Sequence, residues 1–242
     1  MNEINRPIKN QILAWGVHLF TASGAALGLY SIFAIAEGNL PLATVLMLIA
    51  QFVDAADGTM ARAARVTEYA PQIDGRRLDD IIDYLNFVIV PVFFMWHASS
   101  VAHSGWLALP VLASAYGFSR VDAKTEDDFF LGFPSYWNIL AIYLWLLGVS
   151  PLIGTVWVVA LSAGVFLPMK YLYPSKVNPM SLRIALGVGA ILWTLALGAC
   201  ALWPESTTPW RLTEISLAYP VWYMILSATR GGWFRGGRVN AG

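Results

Sequence analysis

Apolar stretches recur along almost the whole of this chain, and they leave it little choice of fold. Runs at about residues 11–34, 41–61, 80–97, 101–119, 136–149, 151–169, 183–203 and 213–229 are dominated by Leu, Ile, Val, Ala and aromatic residues. About 20 residues of helix span the hydrocarbon core of a bilayer, where a helix satisfies every backbone polar group within itself. Composition agrees: 57% of the residues are hydrophobic and 12% are charged, against about 25% charged in a soluble domain. The expected fold is an all-α integral-membrane bundle of about eight transmembrane helices, a single domain over residues 1–242. Only Ser150-Pro151 parts the fifth run from the sixth, and the fifth is short.

The basic residues orient this bundle. With the N-terminus in the cytoplasm, all but Arg211 of the fifteen Lys and Arg residues fall on the inner side. Lys and Arg accumulate in cytoplasmic loops, so both termini are expected to be cytoplasmic. The net charge is zero, which gives no electrostatic basis for binding nucleic acid. Cys200 lies in an apolar run and reads as a small core residue. The N-terminus has no signal-peptide layout, so the first span is expected to be retained. The tail from Arg230 to Arg238 is rich in Gly and Arg and suits anionic lipid headgroups.

Against that background four acids stand out, in the register Asp54-x2-Asp57-Gly58-x2-Ala61-Arg62 and then Gly75-x3-Asp79-x3-Asp83. An acid within a membrane helix costs roughly 2.5–3.5 kcal/mol on insertion scales. Asp54, Asp57, Gly58 and Ala61 share one helical face, as do Gly75, Asp79 and Asp83. The link from Ala63 to Asp74 contains Pro71 and lets the second helix fold back antiparallel. Two carboxylates from each helix then converge. Hard cations such as Mg2+ or Mn2+ prefer carboxylate oxygens, and a pair of them can clamp a diphosphate. Small residues at Gly58, Ala61 and Gly75 admit a phosphate or nucleotide close to the backbone. Arg62 is placed either to steady phosphate charge or to belong to the interfacial basic set. Asp74 and Asp80 fall off both registers and read as pairing or solvated residues.

This pattern resembles the signature of the CDP-alcohol phosphotransferases, integral-membrane enzymes of phospholipid synthesis, and every fixed position of that signature is present. The link between its two halves is longer than in most of that superfamily and is similar to that of the bacterial phosphatidylcholine synthases. Two further stretches resemble the same subfamily, from Gly117 to Asn138 and from His18 to Gly24.

The resemblance implies a phosphatidyl transfer from CDP-diacylglycerol to choline, releasing CMP. Asp54, Asp57, Asp79 and Asp83 would bind one or two Mn2+ or Mg2+ ions, with Asp83 also the general base. Gly58, Ala61, Arg62 and Gly75 would line the CDP-diacylglycerol site. It further implies a multi-pass protein of the bacterial inner membrane, a cytoplasmic active site and a homodimer.

Thr21 and Ser23 stand beside Gly24 and Gly28 on the first span, where they either face the nucleotide or sit in a close helix contact. His18 reads as a packed core histidine. Choline is a quaternary ammonium without an N–H, so it must be held by aromatic faces and negative charge. Tyr136, Trp137, Tyr116 and Glu126 are the candidates for that site. Two other readings stay open. Serine, glycerol phosphate or inositol can replace choline, with Arg120, Lys124 and Lys170 as a pocket for a phosphate-bearing acceptor. A cation or proton transporter with buried acids is of another class; it predicts acids near the bilayer midplane and two related halves, and no repeat is visible here.

Overall fold

The computed structural model describes residues 7–123, 125, 127, 129–231 and 233. Glu126 and Lys124 lie outside the described residues. The chain begins with a helical hairpin, α1 (Ile8–Ala36) and α2 (Leu40–Ala63). Gly38, at φ 75°, turns the corner, and the Asn39 side chain accepts from the Leu42 N–H at 3.1 Å to start α2.

The link that follows is not an open loop. Arg65, in the left-handed region, leads into the single turn α3 (Val66–Tyr69). Ala64, Val66 and Ala70 pack on Ala14 and Val17 of α1. Asp74 then caps α4 (Gly75–Tyr84), accepting from the N–H groups of Arg76 at 3.1 Å and Arg77 at 3.3 Å. Helix continues through a π-helical turn, Leu85–Ile89, into α5 (Val90–His97). Pro91 explains the widening: it has no N–H, and its ring clashes with a carbonyl four residues back in a regular helix.

A 3-10 turn at Ser104–Leu107 leads into α6 (Ala108–Ser119). Later come α7 (Trp137–Leu146), α8 (Pro151–Gly164) and α9 (Met180–Leu202). The single turn α10 (Pro204–Thr207), the short α11 (Leu212–Ser216) and α12 (Ala218–Gly231) follow. Each expected apolar run holds helix. The last run divides at Leu217, because Pro220 would press on the Ser216 carbonyl. Among the described residues three helices, α1, α2 and α9, are long and apolar enough to cross a membrane; α7 and α8 are shorter and apolar.

One element departs from the all-helical expectation. β1 (Phe129–Leu131) pairs antiparallel with β2 (Lys170–Leu172), in the register Phe129 with Leu172 and Leu131 with Lys170. Three residues are too few for a period to be visible in sequence. α12 holds the ribbon: the Leu172 N–H donates to Ser227 Oγ at 3.1 Å, and the Tyr223 hydroxyl donates to the Leu172 carbonyl at 2.9 Å. Two main cores result. One joins Ile35, Met47, Phe94, Ile142, Val158 and Leu197. The other gathers Val88, Trp137, Val165, Leu186 and Tyr223 about the ribbon. Outer faces stay apolar at Leu19, Phe52, Trp157, Leu192 and Ile225, as lipid-facing helices require.

Candidate active site

Helix geometry brings the four acids together. α2 presents Asp54 and Asp57 one turn apart, α4 presents Asp79 and Asp83, and the capped start of α4 sets the depth of that pair. Carboxylate oxygens of Asp54, Asp57 and Asp79 all lie within 4.8 Å of one another. All four acids line one small cavity, together with Thr21 and Gly24 of α1 and Asn86 of the π turn.

Carboxyl groups held this close repel unless a proton or a cation stands among them. Ligand oxygens about an octahedral Mg2+, at about 2.1 Å from the metal, stand roughly 3–4 Å apart. The oxygen cluster therefore fits a hard divalent cation.

The first helix closes the cavity. A Cβ on Gly24 would come within 2.7 Å of Ile82 Cγ2, and one on Gly28 within 2.8 Å of Asn86 Oδ1 and 2.9 Å of Leu85 Cδ2. Only glycine permits α1 to lie this near α4. Thr21 is buried and lines the cavity beside Asp57. Ser23 is exposed and donates to the Phe20 carbonyl at 2.6 Å, so the structure brings Thr21 to the acids and leaves Ser23 out.

Beyond the cavity, Gly58 is exposed and the Arg62 guanidinium lies 3.6 Å from where its Cβ would stand. Arg62 is also exposed, donating to Thr59 Oγ1 at 3.0 Å, and Ala61 is half-buried. Gly75 opens α4 against the His18 ring, 3.3 Å from the place of a Cβ. His18 itself is buried, with Nε2 3.5 Å from the Ala70 carbonyl and its ring edge-on to Trp15. It is a packing residue that pins the link to α1.

The aromatic candidates separate. Tyr136 is half-buried; its ring meets that of Tyr223 edge-on, 6.2 Å between centroids, and it lies within the field of the Asp54 carboxylate. Trp137 is 0% exposed, with its indole N–H on Ser114 Oγ at 2.7 Å, and belongs to the core. Tyr116 is 54% exposed and stacks obliquely on Phe166.

Sequence reasoning passed over Asn86, although an amide one turn after Asp83 in an apolar run was a signal. Tyr223 and the buried pair of Asn138 Nδ2 on Gln51 Oε1, at 2.8 Å, were also missed. Their partners are distant in sequence, so no local pattern announces them.

Near the ribbon, Arg120 forks onto Asp122 at 2.7 and 2.8 Å and holds that carboxyl below the ordinary aspartate range. Lys170, 2.6 Å from Asp127, lowers the Asp127 carboxyl in the same way.

With the site in view, comparisons with known proteins become informative. The family model described as CDP-alcohol phosphatidyltransferase matches residues 18–203. A phosphatidylcholine synthase of Legionella pneumophila is 37% identical over 242 residues, covering 95% of this chain and 94% of that protein. One from Borreliella burgdorferi is 42% identical, over 71% of this chain and 74% of its own length. A third, from Pseudomonas aeruginosa, is 38% identical over 78% and 80% of the two chains. The chain therefore belongs to the CDP-alcohol phosphatidyltransferases.

Proposed function

We propose that this enzyme is a phosphatidylcholine synthase, transferring the phosphatidyl group of CDP-diacylglycerol to choline. The observation that carries this reading is the convergence of Asp54, Asp57, Asp79 and Asp83 on one cavity, in a chain similar over most of its length to proteins named phosphatidylcholine synthase.

The reaction is a single displacement. Asp83 accepts the proton of the choline hydroxyl, and that oxygen forms a bond to the phosphorus bearing diacylglycerol. The bond from this phosphorus to the CMP oxygen breaks, and CMP leaves with the electron pair. One or two divalent cations, Mg2+ or Mn2+, held by Asp54, Asp57 and Asp79 with Asp83, supply charge neutralisation for the diphosphate and the leaving group. Gly58, Ala61, Arg62 and Gly75 line the approach of the nucleotide, where the exposed Arg62 meets phosphate charge. Positioning and charge neutralisation supply most of the rate in such transfers.

Tyr136 is the aromatic best placed for the acceptor, since it stands within the field of Asp54 and against Tyr223. A ring face beside a carboxylate suits a quaternary ammonium. A phosphate-bearing acceptor fits less well, because Arg120 and Lys170 are already engaged by Asp122 and Asp127. The protein is a single-domain, multi-pass protein of the bacterial inner membrane with about eight spans. Its active site opens to the cytoplasm, both termini are cytoplasmic, and it works as a homodimer.

Purified protein given CDP-diacylglycerol and Mn2+ or Mg2+ is expected to release CMP with choline, and far more slowly with serine, inositol or glycerol 3-phosphate. Faster release with another alcohol would overturn the choline assignment. Folded protein that released none with any acceptor would overturn the reading as a whole.

A further inference from the structure

We propose that Asn86 is a positioning residue of the acid site, acting through α1 and Thr21 on Asp57; this rests on the metal-dependent reading above. Asn86 is 4% exposed and lines the same cavity as the four aspartates. Its Nδ2 donates to the Gly24 carbonyl of α1 at 2.9 Å and to the Ile82 carbonyl of α4 at 3.2 Å. One amide group thus ties the two helices that flank the acids.

Gly24 lies one turn after Thr21 on the same face of α1, and Thr21 lines the acid cavity together with Asp57. Asn86 thereby fixes the height and rotation of α1, and α1 presents Thr21 to the cavity beside Asp57. Asn86 occupies the π turn, where the backbone hydrogen-bond register shifts by one residue, and π turns recur at functional sites for this reason.

A purely packing role is poorly served by this residue. A buried amide in a membrane helix is costly unless its donors are used, and an aliphatic side chain would fill the same space without that cost. Groups that orient ligating carboxylates typically change metal affinity by about 10–100-fold when removed.

The test uses full-length protein in detergent, with Mn2+ affinity read from the spin-resonance signal of free Mn2+ and kcat and KM from CMP release. Asn86→Ala and Thr21→Val are each expected to weaken Mn2+ binding about tenfold or more, to lower kcat, and to leave KM for choline unchanged. Thr21→Ser keeps the hydroxyl and is expected to retain Mn2+ affinity. The double variant Asn86→Ala/Thr21→Val is expected to be no worse than the weaker single one, since both act on one path. Thermal melts separate folding from binding, and Thr21→Val, nearly isosteric, decides the matter if Asn86→Ala does not fold. Native Mn2+ affinity in folded Thr21→Val or Asn86→Ala would overturn the proposal while leaving the metal reading intact. Wild-type protein that bound no Mn2+ would overturn both.

Discussion

Among individual residues, the division of labour is set by reach. Asp54, Asp57 and Asp79 share one oxygen cluster, while Asp83 stands last in the register and lines the same cavity. Asp83→Asn keeps the shape and removes the base, so kcat for CMP release is expected to fall by about 10²–10⁴-fold with CDP-diacylglycerol still bound. Retained turnover would assign the proton transfer elsewhere. Gly28→Ala meets Asn86 Oδ1 and Leu85 Cδ2 inside 3 Å, an overpacking that costs about 1–3 kcal/mol, read as a lower melting temperature. Tyr136→Ala is expected to raise KM for choline several-fold and leave metal binding alone, which titration of both ligands checks. The four acids were legible in the sequence because carboxylates in apolar helices are expensive and their spacing repeats every turn. Trp137 was not: nothing local distinguishes a ring that faces a ligand from one whose N–H is taken up by Ser114.

At the level of elements, the helices were legible and their joints were not. Apolar runs marked α1, α2 and α9 plainly, and Pro220 and Pro91 account for the break after Ser216 and the widened turn at Leu85–Ile89. The ribbon of Phe129–Leu131 with Lys170–Leu172 escaped notice because its partners lie far apart and are three residues long. Asp127 and Lys170 tie its edge. The Asp127 carboxyl is held below its ordinary range, so this pair stabilises the fold above the usual aspartate pKa. The contribution is lost as pH falls through the lowered value. Half-exposed pairs contribute under about 1 kcal/mol. Asp127→Asn is therefore expected to melt slightly below wild type at neutral pH and together with it in strong acid or high salt. A gap that persisted in acid would locate the effect in packing instead.

For the molecule as a whole, the arrangement answers a geometric problem: the donor's acyl chains belong in the bilayer, while CDP and choline arrive from water. Helices with apolar outer faces carry the acids on α2 and α4, the two helices joined by the link from Ala63 to Asp74, so lipid and aqueous substrates can meet at one site. The distribution of Arg and Lys is the basis of the expected orientation, yet it said nothing of how α1 closes over the acids, which depends on Gly24, Gly28 and Asn86 touching across the fold. The most direct measurement is incorporation of labelled choline into phosphatidylcholine by the protein in vesicles containing CDP-diacylglycerol. The account predicts one phosphatidylcholine per CMP released, dependent on divalent metal and abolished in Asp83→Asn. Phosphatidylcholine formed without CMP release, or formed equally well by Asp83→Asn, would contradict it.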